Sequence, residues 1–198
     1  MTQGRLFIVS GPSGVGKSTV LRAVLERREN ARFSVSATTR PVREGEIDGV
    51  HYHFIDKGTF REWIAREEFL EYAEYVDHFY GTPKKFVEAG LDAGQDIVLD
   101  IEVQGAAQVE KRRPDAVTIF IGPPSWAELE RRLTSRGTNT PEEIQKRLAR
   151  AKEEVRNAHS YDYFVINNDV ENAVREIDAI MTAEHCKPQE RMPLIAET

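Results

Sequence analysis

The stretch that decides the fold is Gly11-Pro12-Ser13-Gly14-Val15-Gly16-Lys17-Ser18, which fits the pattern G-x-x-x-x-G-K-[ST]. Its glycines let the backbone wrap around phosphate groups with the N–H groups pointing inward, and a following helix adds the positive end of its dipole. Lys17 can reach the β- and γ-phosphates, and the hydroxyl of Ser18 can bind Mg²⁺. The motif therefore predicts a loop that holds the phosphates of a nucleoside triphosphate.

The sequence around this loop alternates strand-like and helix-like segments. The short apolar run Leu6–Val9 precedes the loop, and apolar residues at helical spacing follow it between Val20 and Leu25. This alternation predicts an α/β fold of the P-loop NTPase type, in which helices flank a mainly parallel sheet. Three further runs have the composition of strands buried on both faces: Ile97–Leu99, Val117–Ile121 and Phe164–Ile166.

Helix starts in the second half of the chain carry capping signals. Ser125 with Glu128, and Thr140 with Glu143, each match the capping box, and Pro141 occupies the favoured first helical position. A last helix is indicated by apolar residues at helical spacing: Val170, Val174, Ile177 and Met181.

Two regions interrupt the alternation and indicate additions to the core. Residues 33–90 are rich in Tyr, Arg, Thr and Glu, with alternating apolar character, which predicts a small mixed α/β insertion. Residues 134–141 form a polar, glycine-containing loop between two helices, which is the composition of a mobile lid. The predicted organisation is a P-loop core (1–32, 95–125 and 158–186), the insertion 33–94, a helical lid region 126–157 and a weakly ordered tail 187–198.

The composition excludes several classes of function. The formal net charge of -6 argues against a surface that binds nucleic acid or anionic membranes, so an anionic ligand needs a local group of Arg and Lys. Cys186 is the only cysteine, so no internal disulfide can form, which fits a reducing compartment. No stretch approaches the roughly 18 apolar residues of a membrane span. We expect a cytoplasmic protein without nucleic-acid or membrane partners, and the sequence does not indicate its oligomeric state.

Residues outside the loop point to a metal ion and to a second phosphate. Asp100 follows the apolar run 97–99, where a P-loop protein needs a carboxylate to help hold Mg²⁺; a simple helix-start carboxylate is the alternative. Apolar and hydroxyl side chains alternate over residues 33–38, which predicts an extended segment with one hydroxyl-lined face. Arg40 and Arg43 follow this segment and suit a second phosphate, although any single Arg is more often a solvated surface residue.

Five segments resemble the guanylate kinase family in their order and spacing. The most specific lies within FSVSATTRPVREGEIDGVHYHF (33–54) and consists of Thr38-Thr-Arg-Pro-Val-Arg43, with Gly45-Glu46 and Asp48-Gly49 after it. The resemblance covers about residues 5 to 183 and implies an enzyme that uses Mg²⁺ and transfers the γ-phosphoryl group of ATP to GMP, and also to dGMP, in line and under a closed lid. The other segments are IVSGPSGVGKST (8–19), EFLEYAEYVDHFYGT (68–82), LDIEVQG (99–105) and RLTSRGTNTPEEIQKRL (132–148).

The resemblance also implies the residues of two substrate sites. ATP would be bound by the loop residues 11–18, by Thr19 and, at the adenine, by Asn167. The residues that act on the transferring phosphate would be Lys17, Arg132, Arg136 and Arg147. The metal ligands would be Ser18 and Asp100. The GMP site would contain Arg40, Arg43, Tyr52 and Tyr80 at the phosphate, Ser36, Glu71 and Thr82 at the base, and Asp100 and Glu102.

The chemistry of guanine supports Glu71 as the residue that selects the base. Guanine presents N1–H and the N2 amino group side by side, so one carboxylate can accept both hydrogen bonds. Adenine lacks this pair of donors and would leave a desolvated carboxylate unpaired, and sites of this kind can reject such an analogue by about 10⁴-fold. No general base is needed on the acceptor, because a phosphate monoester is already mostly dianionic at neutral pH.

Two other functions remain open at this level. One is a different P-loop phosphotransferase, such as ribose bisphosphate kinase or another nucleoside monophosphate kinase, against which Glu71 and Ser36 argue together with the two arginines. The other is a non-catalytic guanylate-kinase-like domain that binds phosphorylated peptides, against which the intact loop and Arg136 argue. Two positions depart from the family pattern, because Glu102 replaces the usual Asp and Thr82 replaces the Ser of some relatives.

Overall fold

The computed structural model describes residues 3–135, 140–192 and 195. The strands are β1 (Leu6–Ser10), β2 (Ala31–Phe33), β3 (Ala37–Thr38), β4 (His53–Phe54), β5 (Phe69–Tyr75), β6 (His78–Pro83), β7 (Asp96–Asp100), β8 (Val117–Gly122) and β9 (Tyr163–Ile166). The helices are α1 (Lys17–Glu26), α2 (Lys57–Ala65), α3 (Lys84–Asp92), α4 (Val103–Arg112), α5 (Trp126–Thr134), α6 (Pro141–Asn157), α7 (Val170–Glu184) and α8 (Pro188–Arg191), with a 3-10 turn at Ala158–Ser160.

The strands form two sheets of different character. One has five strands in the order β2-β7-β1-β8-β9, and both β2 with β7 and β8 with β9 pair in parallel. β1 and β8 are buried throughout, as expected for strands covered on both faces. The other sheet has the order β4-β3-β6-β5, with β3 parallel to β4 and antiparallel to β6. The predicted fold class, a parallel sheet flanked by helices with a mixed insertion, is confirmed.

The segment expected to be one extended, hydroxyl-lined stretch is divided between the two sheets. β2 ends at Phe33 and pairs with β7, whereas β3 contains only Ala37 and Thr38. Thr38 is fully buried, and its hydroxyl donates to the carbonyl oxygen of Phe79. The expectation of a hydroxyl-lined face is therefore wrong at Thr38, because this hydroxyl is used inside the sheet.

The described residues fall into two compact units. The first contains residues 3–8 and 30–117, and the second contains residues 9–29 and those from 118 onward. In the first unit α2 packs on the mixed sheet, with the rings of Phe60 and Phe69 stacked at 4.4 Å between centroids. In the second unit α5 and α6 share an apolar core of Leu129, Leu133, Ile144, Leu148 and Ala151.

The helix starts follow the capping signals with one exception. Thr140 and Glu143 form a complete capping box, and Pro141 is the first residue of α6, as predicted. Ser125 caps α5 by accepting from the N–H of Glu128, but the Glu128 carboxylate pairs with arginines. The predicted box at α5 is therefore only half formed. No helix among the described residues has the length and apolar composition to cross a membrane.

Candidate active site

The phosphate-binding motif is a tight loop before α1 in the second unit. Gly16 is the N-cap of α1 and has φ 94°, in the left-handed region that favours glycine. A Cβ at Gly16 would lie 2.7 Å from Nδ2 of Asn167, and one at Gly11 would lie 2.4 Å from the carbonyl oxygen of Ile121. The glycines therefore allow close approaches that a side chain would prevent. Lys17 and Ser18 begin α1, where a helix presents the positive end of its dipole.

The carbonyl oxygen of Val15 is held by two side chains from distant parts of the chain. Asn167 donates through Nδ2 at 2.7 Å and Arg132 through its guanidinium at 3.0 Å. Arg132 also donates to the carbonyl oxygen of Asn167 at 3.1 Å and to the carboxylate of Glu128 at 2.8 Å. The hydrogen bonds from Arg131 and Arg132 lower the pKa of Glu128 to about 2. Arg132 is thus oriented on the loop by an ionised partner.

A cavity of about 530 Å³ lies beside the loop, and its volume suits a nucleoside. Asn167 borders this cavity and is 2% exposed, and its Oδ1 has no hydrogen-bond partner among the described residues. The carbonyl of Val15 requires a donor, so Nδ2 faces the loop and Oδ1 remains to accept from an amine. Other residues at the cavity include Gly14, Thr19, Arg131, Ser135 and Asp169.

The predicted phosphate-clamping arginines differ in where the structure places them. Arg132 on α5 contacts the loop as described above. Arg147 on α6 donates to the hydroxyl of Ser13, at a long 3.4 Å. Two of the predicted arginines therefore meet the phosphate loop within one unit, whereas Arg136 lies outside the described residues.

A buried carboxylate and a hydroxyl lie side by side in the first unit. Glu71 on β5 is opposite Thr82 on β6, and the Thr82 hydroxyl donates to Oε1 of Glu71 at 2.7 Å. Glu71 is 8% exposed and Thr82 only 1%. Burial raises the pKa of the Glu71 carboxyl, and the hydrogen bond from Thr82 opposes this rise. This is a carboxylate with unused accepting capacity in an apolar surrounding.

A cationic cluster lies on the loop after β3 in the same unit. Arg40 binds Glu46 through two hydrogen bonds of 2.7 and 2.9 Å, and Glu46 also accepts from the backbone N–H of Arg43 at 2.8 Å. These contacts, the one with Arg40 above all, lower the pKa of Glu46 to about 2. The Arg40 guanidinium lies 5.4 Å from the ring centre of Tyr52, whose ring meets that of Tyr80 at 6.1 Å. Four predicted phosphate-binding residues are thus neighbours.

Comparison with known proteins identifies the family to which this chain is related. A family model described as guanylate kinase matches residues 3–184. The chain belongs to the guanylate kinase family. The guanylate kinase of Thermus thermophilus is 55% identical over 182 residues, which is 92% of this chain and 82% of that protein. The guanylate kinase of Carboxydothermus hydrogenoformans is 50% identical over 189 residues, 96% of this chain and 93% of that protein.

A solved structure supports the same family. The crystal structure of guanylate kinase from Anaplasma phagocytophilum superposes with a TM-score of 0.71 at 36% sequence identity. The match covers 94% of this chain and 88% of that one. The shared fold therefore extends over nearly the whole chain.

The other residues predicted for the metal and GMP sites lie at or next to the ends of strands and helices. Asp100 is the last residue of β7 and is exposed, directly after the buried residues 97–99 that were predicted to form this strand. Glu102 is the N-cap of α4, but its side chain makes no capping hydrogen bond. Ser36 lies just before β3, where its carbonyl oxygen accepts from the N–H of His53 at 2.8 Å. The oxygens of Ser18 and Asp100 are the donor type that Mg²⁺ prefers.

Two residues with a place in this geometry were not assigned a role from the sequence. Glu46 orients the guanidinium of Arg40 and accepts from the backbone N–H of Arg43, and a carboxylate three residues after Arg43 in an arginine-rich turn is the available signal. Gly105 lies against Glu71, where a Cβ would be 3.1 Å from Oε2. Nothing in the local sequence could connect Gly105 with a residue 34 positions earlier, because only the fold brings them together.

Proposed function

We propose that this chain acts as a guanylate kinase, transferring the γ-phosphoryl group of ATP to GMP, and to dGMP, to give ADP and GDP. The observation that carries the proposal is the pair formed by Glu71 and Thr82, a buried carboxylate and hydroxyl suited to guanine. Membership of the guanylate kinase family supports it independently. We expect the protein to act in the cytoplasm on small-molecule substrates.

Base selection follows from what guanine can donate. Glu71 would accept from N1–H and from the N2 amino group, which restores to the carboxylate the partners it lost on burial. The hydroxyl of Ser36 would donate to the rest of the purine edge, whereas the Thr82 hydroxyl, which donates to Glu71, would act by holding that carboxylate. AMP offers no such pair of donors, so it would leave the Glu71 charge unpaired.

The phosphate of GMP would be bound by the cluster on the first unit. Arg40 arrives already oriented, because Glu46 fixes its guanidinium through two hydrogen bonds. Arg43, Tyr52 and Tyr80 would supply further donors. A guanidinium that is held in place loses little conformational freedom on binding phosphate, which favours affinity.

The triphosphate would be bound by the loop in the second unit. The backbone from Gly11 to Thr19 would surround the phosphates, with Lys17 neutralising the β- and γ-phosphates. The adenine would occupy the neighbouring cavity, which Asn167 borders, and a shift of this side chain would let its buried, unpartnered Oδ1 accept from the amino group at C6. The Asn167 amide would then donate to the loop through Nδ2 and accept from the base through Oδ1.

Mg²⁺ is the cofactor that these residues fit. Among the described residues, no three His, Cys, Asp or Glu side chains come together to hold a metal ion, so phosphate oxygens would supply much of its coordination. Ser18 and Asp100 would hold the ion from the protein side. When bound, it would neutralise charge on the β- and γ-phosphates.

Transfer itself depends on position and charge. Arg132 and Arg147, both in contact with the loop, would stabilise the negative charge on the group in flight. Arg136 is proposed to join them when the lid region closes, and closure would exclude water as a competing acceptor. The GMP phosphate is the nucleophile and needs no proton removed at neutral pH.

An acceptor panel tests the proposal directly. ADP formation from ATP and Mg²⁺ is measured with GMP, dGMP, AMP, UMP, TMP and ribose bisphosphate. We expect GMP to be preferred over AMP by about 10⁴-fold in kcat/KM. Equal use of GMP and AMP would sink the guanine assignment, and preference for ribose bisphosphate would favour that kinase instead. Binding of a phosphorylated peptide without turnover of any acceptor would indicate the non-catalytic class.

A further inference from the structure

The strand that carries Glu71 is the outer strand of the mixed sheet. Within the described part of the chain, β5 pairs only with β6 in the order β4-β3-β6-β5, with Glu71 opposite Thr82 and Tyr72 opposite Gly81. In an antiparallel pair, backbone groups alternate between facing the partner strand and facing away. The N–H and C=O of Tyr72 face away from β6, and something other than the sheet has to satisfy them.

Side chains of helix α4 form hydrogen bonds with the backbone groups of β5 on both sides of Glu71. The side-chain amide of Gln108 accepts from the N–H of Tyr72 at 3.3 Å and donates to its C=O at 3.2 Å. Arg112, one turn further along, donates to the C=O of Leu70 at 3.1 Å. The residues before and after Glu71 are therefore tied to the same helix.

The same helix also forms the surface against which the Glu71 carboxylate lies. Gly105 is buried, and a Cβ built on it would be 3.1 Å from Oε2 and 3.5 Å from Cδ of Glu71. Thr82 holds the other oxygen, Oε1. The carboxylate thus has the Thr82 hydroxyl on one side and bare helix backbone on the other.

We propose that α4 positions the base-reading carboxylate of this enzyme, with Gln108 fixing the backbone of β5 beside Glu71 and Gly105 leaving the space that Oε2 requires. The inference rests on the proposed function, because it assigns the purpose of the arrangement to the reading of guanine. Gln108 and Gly105 are positioning residues, since they act through Glu71.

The register of β5 shows why such a device is needed. The pairing of β5 with β6 is irregular between Phe69 and Glu71, so Glu71 lies directly after a bulge, where the strand departs from the regular ladder. A carboxylate must meet two parallel N–H donors with both oxygens in the plane of the base, and a small rotation would lose one of them. The amide of Gln108 removes this freedom one residue away.

The test compares substrates that differ by one donor. IMP keeps N1–H and O6 of GMP but lacks the N2 amino group, so the ratio of kcat/KM for GMP to that for IMP measures how well Glu71 reads the second donor. The variants are Gln108→Met, which keeps the volume and loses both hydrogen bonds, and Gly105→Ala, which pushes on Oε2. Lys111→Ala is the control, because Lys111 is an exposed residue of the same helix.

We expect both variants to lower the GMP-to-IMP ratio by about fivefold, the value of one ordinary hydrogen bond, with the KM for ATP unchanged. Lys111→Ala should keep the ratio of the wild-type enzyme. In a Glu71→Ala background, the Gln108 and Gly105 substitutions should have no further effect on the ratio. If Gln108→Met fails to fold, Gly105→Ala decides the question alone.

A purely structural role for α4 would give a different result. Covering the sheet edge without positioning Glu71 would lower the melting temperature and the use of GMP and IMP in equal proportion. An unchanged ratio in either folded variant, with a wild-type enzyme that phosphorylates GMP, would overturn this inference and leave the proposed function standing. A wild-type chain that does not phosphorylate GMP would overturn both.

Discussion

Glu71 has been placed where its charge is poorly solvated. It is 8% exposed, and among the described side chains the Thr82 hydroxyl is the one that donates a hydrogen bond to it. Because burial raises the pKa of this carboxyl, the ionised form that the proposed guanine site requires is destabilised when no base is bound. The bound base would relieve that cost, so the residue links affinity for guanine to the stability of the free protein.

The first prediction concerns base recognition by Glu71. Glu71→Gln keeps the shape of the side chain but turns one acceptor into a donor, which faces the donors of guanine. We expect kcat/KM for GMP to fall by about 10- to 100-fold, because a hydrogen bond to a charged group is lost. The dissociation constant of ATP, measured by calorimetry, should stay within twofold. An equal loss for both nucleotides would remove Glu71 from the base site.

The second prediction concerns the effect of the same residue on stability. The pKa of Glu71 is raised in the folded state, so its contribution to folding is fully present below the unfolded-state pKa and is lost as the pH rises through the folded value. Without ligand, Glu71→Gln should therefore unfold at a higher temperature than wild type at pH 7. The difference should shrink as the pH falls from 7 toward 4.5, the ordinary pKa of the carboxyl, and should not change further below it. Thermal melts at several pH values measure it, and a gain that grows toward acid pH would contradict the expected direction.

At the scale of elements, the turn into α1 depends on a backbone shape that only glycine tolerates well. Gly16→Ala would place an alanine in the left-handed backbone region, which destabilises the folded state by about 1–2 kcal/mol. Its Cβ would also lie 2.7 Å from Nδ2 of Asn167. We expect lower thermal stability and loss of ATP binding. Gly45→Ala is the matched control, because Gly45 has φ 82° with no atom within 4 Å of an added Cβ. If the two variants behave alike, the contact with Asn167 contributes nothing.

The capping box of α6 gives a second prediction at this scale. Thr140→Ala removes the cap of the helix that carries Arg147, and a lost cap costs about 1 kcal/mol. We expect a fall in melting temperature of about 3 °C together with a several-fold lower kcat. Asp56→Ala removes a comparable cap from α2, which carries none of the proposed catalytic arginines, so it should lower stability without lowering kcat. If Thr140→Ala and Asp56→Ala change kcat by the same factor, the cap of α6 has no specific role in catalysis.

At the scale of the whole molecule, the sequence predicts the elements that a local residue pattern determines. Continuous apolar runs located β1, β7, β8 and β9, because strands buried on both faces have no polar alternation. β2 was missed because it is short and two of its three residues are exposed. The ties between Gln108 and Tyr72 and between Asn167 and Val15 could not be predicted, since they join residues 36 and 152 positions apart.

The separate locations of the two sites give a prediction for the whole chain. Each substrate should stabilise the unit that binds it, by about 2.7 kcal/mol at a ligand concentration of 100 times Kd. In hydrogen–deuterium exchange, GMP alone should protect amides between residues 33 and 83, and ATP with Mg²⁺ should protect those between 9 and 29. Protection by GMP confined to residues 9–29 would reverse the assignment of the sites.

The ties on the Val15 carbonyl also set an order of events during synthesis. The loop motif leaves the ribosome among the first twenty residues, but the side chains that hold Val15 belong to Arg132 and Asn167. A nascent chain therefore carries the nucleotide-binding sequence long before it can carry the nucleotide-binding shape. A chain released before residue 167 would retain the full motif but lack the Asn167 donor to Val15, and we expect it to bind ATP poorly.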